Sequence, residues 1–372
     1  MVITDIQTER QTILLNKPFK TALRTVTHAQ SVIVRLSVDN GLCGWGEAVP
    51  TMMITGESIE SIEAAICQTL KPLLLGQNVL NYESVFHLLH HSFVGNSSAK
   101  AAVDMAIYDV LAQYFNLPLY QLLGGDQRDG QDKIETDCTI SVNAPEEMSK
   151  DACQYVHNGF RILKVKVGRD DIDRDILRIR AIRDAVGPDV KIRIDANQGW
   201  KVKEAIRAIK KMEDMGLDIE LVEQPVKAHD IDGLKKITDA VYTPIMADES
   251  IFSPEDAFEV LKRRAVDLIN IKLMKCGGIF KAELINRMAE ACGVECMVGS
   301  MIESFISVTA AAHFAASKRN ITRFDFDAPL MLTSKNIEGG ISYEGNKVRL
   351  PNRPGMGIIS VKEWGDVYEA QT

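Results

Sequence analysis

The sequence predicts an α/β protein whose main body is a parallel barrel of alternating strands and helices. The first observation is a series of five strand-like segments between residues 162 and 275, each ending at or near a charged residue. These charged residues are Lys166, Asp195, Glu223, Asp248 and Lys272. The second observation is their spacing of 24 to 29 positions, which accommodates one strand, one helix and two short loops. In such a barrel the C-terminal strand ends share one face, so one pocket is expected to hold all five.

The length of the chain predicts a second, smaller domain beside this barrel. At 372 residues the sequence exceeds the usual size of a single domain. We predict an α+β capping domain over residues 1–128, a modified TIM barrel of (β/α)7β topology over residues 129–328, and a tail over residues 329–372 that returns to the capping domain. A polar run over residues 126–133 marks the expected connector between the first two.

The capping domain is predicted to begin with strands and to continue with helices. Residues 2–48 alternate between polar and apolar, and Asn40-Gly41 supplies a hairpin turn. Residues 17–24 and 51–56 are predicted as loops that can close over a ligand. Helical periodicity covers residues 58–75, 82–93 and 97–115, and Ser97 or Ser98 is the expected N-cap of the last helix.

The barrel is predicted to start at residues 134–142 and to contain seven helices up to residue 318. The spacing of Ile176, Ile179 and Ile182 is typical of a helix with one apolar face. The seventh strand is expected at residues 295–300 and the eighth at residues 321–326, immediately before Asp327.

Composition indicates a small-molecule partner. The net charge of −8, without a cluster of basic and aromatic residues, argues against nucleic acid and anionic membranes. No run of 18 apolar residues and no secretory leader pattern are present, and the seven cysteines are scattered. We therefore expect a cytoplasmic protein with reduced thiols.

Three of the strand-end residues are carboxylates, which predicts a metal site. Asp195, Glu223 and Asp248 offer oxygen ligands, and no cysteine or histidine belongs to the set. Such ligands suit octahedral Mg²⁺, which keeps positions for water and substrate. Mn²⁺ is an open alternative, whereas zinc is not expected.

The two flanking lysines predict proton transfer at a carbon atom. Lys166 on the second barrel strand and Lys272 on the sixth are expected on opposite walls. A proton α to a carboxylate is about 20 pK units less acidic than an ammonium, roughly 27 kcal/mol. A lysine base therefore needs a cation to stabilise the enediolate. Two bases on opposite faces of one carbon invert it, so the sequence predicts an isomerase of the racemase or epimerase type.

Simpler explanations exist for individual residues. An aspartate at a strand end often caps the next helix, and lysines in strands usually reach solvent. His87 and His91 have the spacing of a zinc-protease helix but lack its glutamate, so a structural role is expected. The recurrence of five charges at barrel spacing favours a functional over a merely structural explanation of the whole set.

Five motifs of this site resemble the enolase superfamily, in particular its muconate-lactonising subgroup, over nearly the whole chain. They are Lys164-Val-Lys166, Asp195-Ala-Asn197, Glu223-Gln-Pro225, Asp248-Glu249-Ser250 and Lys272 to Gly278. The resemblance implies that Asp195, Glu223 and Asp248 bind Mg²⁺ and that Lys166 and Lys272 are the acid/base pair. It also implies that Lys164 helps to bind the substrate carboxylate, and that Asn197 and Glu249 support the metal ligands from behind.

Asp325-Phe-Asp327 resembles the Asp-x-Asp motif of dipeptide epimerases, where it holds the α-ammonium of a dipeptide. Arg24 matches the residue that meets the glutamate side chain in epimerases of L-Ala-D/L-Glu-type dipeptides. The resemblance further implies that Thr139, Ser300 and Ile302 contact the substrate. It predicts a small dipeptide as substrate. We also expect the protein to form a homo-oligomer.

Other reactions of the same subgroup remain open from sequence. They are the racemisation of N-acylamino acids, the synthesis of o-succinylbenzoate and cycloisomerisation. Their substrates lack an ammonium group, so Asp325 and Asp327 would face them without a counter-charge. A metal-free aldolase that forms a Schiff base and a non-catalytic binding barrel are the alternatives from other classes.

Overall fold

Eight parallel strands form the centre of the molecule in this computed structural model, which describes residues 1–126, 134–362 and 364. Their order in the sheet follows the chain, with each strand beside the next. The strands are β4 (Cys138–Ile140), β5 (Ile162–Lys166), β6 (Lys191–Asp195), β7 (Ile219–Glu223), β8 (Ile245–Ala247), β9 (Leu268–Ile271), β10 (Glu295–Gly299) and β11 (Ile321–Asp325). The predicted α/β barrel is confirmed. The domain boundary predicted at residue 128 lies outside the described residues.

The barrel is nearly closed by hydrogen bonds between the segment just before its first strand and the end of its last strand. The main-chain N–H of Phe326 donates to Oγ1 of Thr136 over 2.8 Å, and the N–H of Asp137 lies 3.4 Å from the carbonyl oxygen of Phe324. Helices cover the outside, and most bury one apolar face because their apolar residues recur every three or four positions. The helices Leu273–Cys276 and Phe305–Ala316 are instead buried along their whole length. Those that follow the strands are α6 (Pro145–His157), α7 (Ile172–Val186), α8 (Val202–Asp214), α9 (Ile231–Thr238), α10 (Pro254–Arg263), α11 (Leu273–Cys276), α12 (Ile279–Ala291) and α13 (Phe305–Ala316).

A three-stranded antiparallel sheet precedes the barrel. Its strands are β1 (Ile3–Lys20), β2 (Thr25–Val38) and β3 (Cys43–Ala48). The predicted turn at Asn40-Gly41 joins β2 to β3, and Gly41 has a φ of +85°. Gly46 is required where β3 meets a helix, since a Cβ there would lie 1.8 Å from the carbonyl oxygen of Ala102.

The helices of the N-terminal part are α1 (Ile59–Ala64), α2 (Lys71–Leu74), α3 (Tyr82–His91), α4 (Ser97–Tyr114) and α5 (Leu119–Leu122). The helix predicted over residues 58–75 is interrupted by a π-helical segment, Ala65–Leu70. The N-cap prediction for α4 was wrong, because Asn96 holds that position and Glu57 accepts hydrogen bonds from the N–H groups of Ser98 and Ala99. Periodicity alone does not reveal a cap from a distant residue.

The loop predicted over residues 17–24 is shorter than expected. β1 continues to Lys20 and pairs with Thr25 at the start of β2, after an irregularity in the register between Leu14 and Phe19. The N–H of Lys20 donates to Oγ of Ser141 over 3.2 Å, which attaches this end of the strand to the barrel rim. Only residues 21–24 connect the two strands.

Two buried carboxylates from the N-terminal part cap helices of the barrel. Oδ1 of Asp104 accepts the N–H of Ile279 at the start of α12 over 2.6 Å. Glu47 accepts the N–H of Ser304 and that of Ser307 at the start of α13, each over 3.0 Å. Both helices begin with N–H groups that lack partners inside the helix, and the two carboxylates supply them.

The tail contacts both the N-terminal part and the barrel. It contains a 3₁₀ turn (Ala328–Met331) and β12 (Ile337–Gly339), β13 (Ser342–Glu344), β14 (Lys347–Arg349) and β15 (Ile358–Val361). Leu332 bridges to Leu15 of β1, whereas Lys347 bridges to Glu135 just before β4. No helix among the described residues is long and apolar enough to cross a membrane.

Candidate active site

The five charged residues predicted at the strand ends are all buried at the C-terminal side of the barrel. Lys166 lies beside Asp195, and Asp195 lies beside Glu223, in the registers of neighbouring strands. Lys272 was predicted within a strand, but it follows β9 directly and is the N-cap of α11. Three strands separate β5 from β9 in the sheet order, so Lys166 and Lys272 approach the centre from opposite walls.

Each lysine amine of the site contacts a carboxylate. Nζ of Lys166 lies 2.6 Å from Oδ2 of Asp195, and Nζ of Lys272 lies 2.8 Å from Oδ2 of Asp248. The amine of Lys164 is shared more widely. It lies 2.7 Å from Glu223 and 3.3 Å from Asp195.

These contacts shift the pKa values of the groups involved. Burial by itself lowers the pKa of Lys272, but Asp248 more than offsets that effect and holds it above the ordinary value. The pKa of Lys164 is raised against burial by Asp325, Glu223 and Asp195. The pKa of Asp248 lies well below its usual range despite burial, because Lys272 and Lys275 are beside it. The pair of Lys272 and Asp248 is therefore charged in this arrangement.

The donor set of Asp195, Glu223 and Asp248 fits a hard divalent cation. All three are oxygen donors at the ends of successive strands, and lysine amines lie against them as counter-charges. Two further buried oxygens nearby have no hydrogen-bond partner among the described residues, Oδ1 of Asn197 and Oε2 of Glu249. Asn197 and Glu249 contact each other through Nδ2 and Oε1 at 3.4 Å. Burial, reinforced by Asp248, raises the pKa of Glu249 to about 8.

A different trio of acids converges more tightly in the described part of the chain. Asp137, Asp325 and Asp327 each have an oxygen within 4.8 Å of the others. Two of them already have partners, since Nη1 of Arg193 lies 2.8 Å from Asp137 and Nζ of Lys164 lies 2.7 Å from Asp325. Each strand-end carboxylate likewise lies against a lysine amine, so ion-pair partners alone do not distinguish the two sets of acids.

Asp325 and Asp327 face the same cavity as the lysines, as the spacing of two residues predicts. Oδ2 of Asp327 accepts the N–H of Thr139 over 2.6 Å. Burial and then the charge of Asp325 raise the pKa of Asp327 to about 7. Against the effect of burial, Lys164 lowers the pKa of Asp325 to about 2. Of these two carboxylates, Asp327 has the higher pKa, so its ionised form gains more from a cation placed beside it.

The cavity between these groups has a volume of about 60 Å³, which is room for about two water molecules. Its walls include all of the predicted substrate-contacting residues, namely Arg24, Thr139, Lys164, Ser300, Ile302, Asp325 and Asp327. Phe19, Leu23 and Ile54 close the cavity from the N-terminal part. Residues of the predicted loops 17–24 and 51–56 thus form part of the cavity wall.

Arg24 has no carboxylate partner among the residues that the structure describes. Arg24 and Ile302 both line the cavity, and burial lowers the pKa of the Arg24 guanidinium. Since a partly buried guanidinium favours an anion, this wall of the cavity can receive a carboxylate of a ligand.

Sequence reasoning missed two residues that hold the site together. Lys275 is buried, and its Nζ lies 2.6 Å from Oδ1 of Asp248 and contacts the carbonyl oxygen of Asp248 as well. Nδ2 of Asn270 donates to Oε1 of Glu223 over 2.7 Å. The sequence contained a signal for both residues, namely their closeness to a predicted catalytic lysine. Lys275 lies three residues after Lys272, and Asn270 lies two residues before it.

Comparison with known proteins defines the class. An enolase C-terminal domain-like family model matches residues 147–363, and a model of the mandelate racemase / muconate lactonizing enzyme N-terminal domain matches residues 3–124. The chain belongs to the enolase superfamily. This confirms the resemblance read from the motifs around the five charged residues.

Particular relatives are similar over nearly their whole length. The chain is 62% identical to the L-Ala-D/L-Glu epimerase of Bacillus subtilis, covering 96% of this chain and 97% of that protein. It is 50% identical to the L-Ala-D/L-Glu epimerase of Clostridium acetobutylicum, covering 97% and 99%.

Solved structures of such relatives have the same fold. The substrate-liganded Bacillus subtilis epimerase superposes with a TM-score of 0.95 and covers 97% of this chain and 99% of its own. The dipeptide epimerase of Enterococcus faecalis, solved with Mg and the dipeptide L-Leu-L-Tyr, is 44% identical, has a TM-score of 0.92 and covers 96% and 99%.

Proposed function

We propose that this protein is a Mg²⁺-dependent dipeptide epimerase that inverts Cα of the C-terminal residue of L-Ala-D/L-Glu-type dipeptides. The observation that carries the proposal is the placement of two lysine amines on opposite barrel walls, with a row of three carboxylates between them. The names of the relatives that match nearly the whole chain support the same activity.

The two lysines divide the proton transfer between two faces of one carbon. One amine removes the α-proton from one face, and the ammonium group of the other returns a proton to the opposite face. Each direction of epimerisation exchanges these roles. Asp195, Glu223 and Asp248 would hold Mg²⁺, which when bound neutralises the second negative charge that develops on the substrate carboxylate.

The remaining cavity residues bind the two ends of the dipeptide. Asp325 and Asp327 hold the α-ammonium group, and Arg24 meets the side-chain carboxylate of glutamate. Lys164 assists in binding the α-carboxylate, whereas Asn197 and Glu249 support the metal ligands. Thr139, Ser300 and Ile302 shape the walls around the peptide.

The other reactions of the subgroup are the second candidate. Racemisation of N-acylamino acids, o-succinylbenzoate synthesis and cycloisomerisation would use the same lysines. Asp327 argues against them, because a buried carboxylate without a cation repels an anionic substrate.

We further propose that the protein is a cytoplasmic homo-oligomer and that Mn²⁺ can replace Mg²⁺. Size-exclusion chromatography with light scattering measures the first property in solution. Titration of the metal-free enzyme with each ion, followed by calorimetry, measures the second without relying on turnover.

The proposed function is tested by ¹H NMR of L-Ala-L-Glu in D₂O with the enzyme and Mg²⁺. The Cα proton of glutamate is expected to exchange while that of alanine persists, and L-Ala-D-Glu is expected to form. EDTA should stop both processes, and added Mg²⁺ should restore them. Exchange at alanine, or turnover that is unaffected by EDTA, would contradict the proposal.

A further inference from the structure

A second cavity, with a volume of about 650 Å³, adjoins the cavity of the active site. Its walls come from the end of β1, from β4, from helix α6 and from the tail, and we call it the α6 groove. Four residues line both cavities: Phe19, Thr139, Asp327 and Met331. The two cavities therefore meet at the carboxylate to which the proposed function assigns the substrate ammonium group.

Four aromatic rings form an apolar part of the wall of the α6 groove, beside polar and charged residues. The rings that line it belong to Phe19, Tyr155, Phe160 and Tyr343. Phe160 is buried, and the hydroxyl of Tyr343 donates to the carbonyl oxygen of Phe326 over 2.6 Å. The hydroxyl of Tyr343 is therefore engaged, and its ring is left as an apolar surface.

The basic residues that line this groove are already paired across it. Nζ of Lys17 lies 3.0 Å from Oδ1 of Asp151 on helix α6, and Nζ of Lys20 donates to Oδ1 of Asn143 over 2.9 Å. These contacts join the end of β1 to the barrel rim, and each of the two amines already has a hydrogen-bond partner. An acidic side chain would also face Asp327 and Glu147, which line the same groove.

We propose that the α6 groove binds the side chain of the N-terminal residue of the dipeptide and favours large aromatic or aliphatic side chains. The inference rests on the proposed function and extends it to substrate selection. An ammonium group at Asp325 and Asp327 brings the N-terminal Cα to the junction of the two cavities. The side chain leaves from that carbon, and the groove beside it offers several times the volume that an alanine methyl group needs.

The physical basis of the preference is the removal of apolar surface from water. The methyl group of alanine is too small to fill the groove, which then holds solvent. A phenylalanine side chain instead places its ring against the aromatic walls and removes that surface from water. Apolar contacts of this size change kcat/KM by about tenfold or more. We therefore expect L-Phe-L-Glu to be epimerised with a kcat/KM at least equal to that of L-Ala-L-Glu.

The experiment compares these two dipeptides on the wild-type enzyme and on two tryptophan variants. Gln154 lies on helix α6, is exposed and lines the groove, so Gln154→Trp narrows it without touching the active-site cavity. Lys150 lies one turn earlier on the same helix, is exposed and is not part of the lining. Lys150→Trp is thus a matched control for the added ring.

Gln154→Trp is expected to lower kcat/KM for L-Phe-L-Glu at least tenfold, mainly through KM, and to leave L-Ala-L-Glu within twofold of wild type. Lys150→Trp should change neither substrate. The inference is overturned if L-Ala-L-Glu is epimerised while L-Phe-L-Glu is more than tenfold slower, or if Gln154→Trp affects both dipeptides equally. If neither dipeptide is epimerised, the proposed function itself fails, which is a distinct result.

Discussion

At the scale of single residues, the site is a set of amines and carboxylates that neutralise one another. Lys164 contacts three acids at once, Glu223, Asp195 and Asp325. A buried cation with this many partners is far costlier to remove than an exposed one, because its removal leaves unpaired charges in a low-dielectric interior. Lys166 and Lys272 have fewer partners, which is consistent with amines that must release and accept protons.

Replacement of either acid/base lysine removes proton transfer at one face of the reacting carbon and leaves proton transfer at the other face. Lys166→Ala and Lys272→Ala are each expected to lower epimerisation by about 10³-fold or more, since one proton transfer then lacks its catalyst. Each variant should still exchange the α-proton of one stereoisomer with D₂O, and the two variants should retain opposite stereoisomers. NMR of L-Ala-L-Glu and L-Ala-D-Glu measures this. Full activity of either variant would refute the two-base assignment.

Asp327→Asn tests the ammonium site without removing the acceptor for the N–H of Thr139. The loss of charge is expected to weaken binding of L-Ala-L-Glu by about 10- to 100-fold, the cost of one charge-assisted hydrogen bond. An N-acetylated dipeptide carries no ammonium group, so its affinity should change little. Calorimetry in the presence of Mg²⁺ compares the two ligands, and equal effects on both would remove the ammonium-binding role.

At the scale of elements, carboxylates from the N-terminal part fix the starts of two barrel helices. Glu47 accepts two main-chain N–H groups and the hydroxyl of Ser304 at α13, immediately after the segment that carries Ser300 and Ile302. Asp104 performs the same task for α12, which follows Lys272 and α11. The barrel loops that shape the site are thus held by residues from outside the barrel.

Glu47→Ala tests this cap. The variant leaves buried N–H groups unpaired, so the free energy of unfolding should fall by about 3 kcal/mol. Glu344→Ala is the control, because Glu344 is exposed and its loss should cost less than about 0.5 kcal/mol. Urea denaturation measures both values. A similar small effect for both variants would show that the cap does not stabilise the fold.

At the scale of the whole molecule, the N-terminal part and the barrel are connected through buried polar contacts as well as apolar packing. The N–H of Tyr120 in α5 donates to Nδ1 of His313 in α13 over 3.1 Å. His313 is fully buried, and burial lowers its pKa to about 3 from an ordinary value of 6.5. The folded protein therefore holds this imidazole neutral over a range in which the unfolded chain binds a proton.

This difference predicts a pH dependence of stability. The contribution of neutral His313 is complete above pH 6.5 and is lost progressively as the pH falls toward 3, because only the unfolded state gains the proton. The slope from this one group reaches about 1.4 kcal/mol per pH unit. His313→Gln keeps an acceptor for Tyr120 but cannot titrate, so its destabilisation relative to wild type should shrink between pH 7 and pH 4. Urea denaturation across this range measures it, and a constant difference would contradict the assignment.

The sequence by itself determined the α/β barrel and the identity of the charged residues at its strand ends. Both follow from local information: apolar periodicity sets each strand and helix, and the spacing between charges sets their common face. The hairpin turn at Asn40-Gly41 likewise follows from the neighbouring residues alone. The family motifs added chemical roles to residues that the spacing had already singled out.

Only the tertiary structure decided the features that depend on residues far apart in the chain. The cap of α4 comes from Glu57 rather than Ser97 or Ser98, and Glu47 reaches α13 across 257 positions of sequence. The same holds for the α6 groove, which β1, β4, α6 and the tail form together. A sequence pattern predicts which residues of one element are buried. The hydrogen-bond partners of a buried carboxylate, however, are the unpaired N–H groups that the packed fold places beside it.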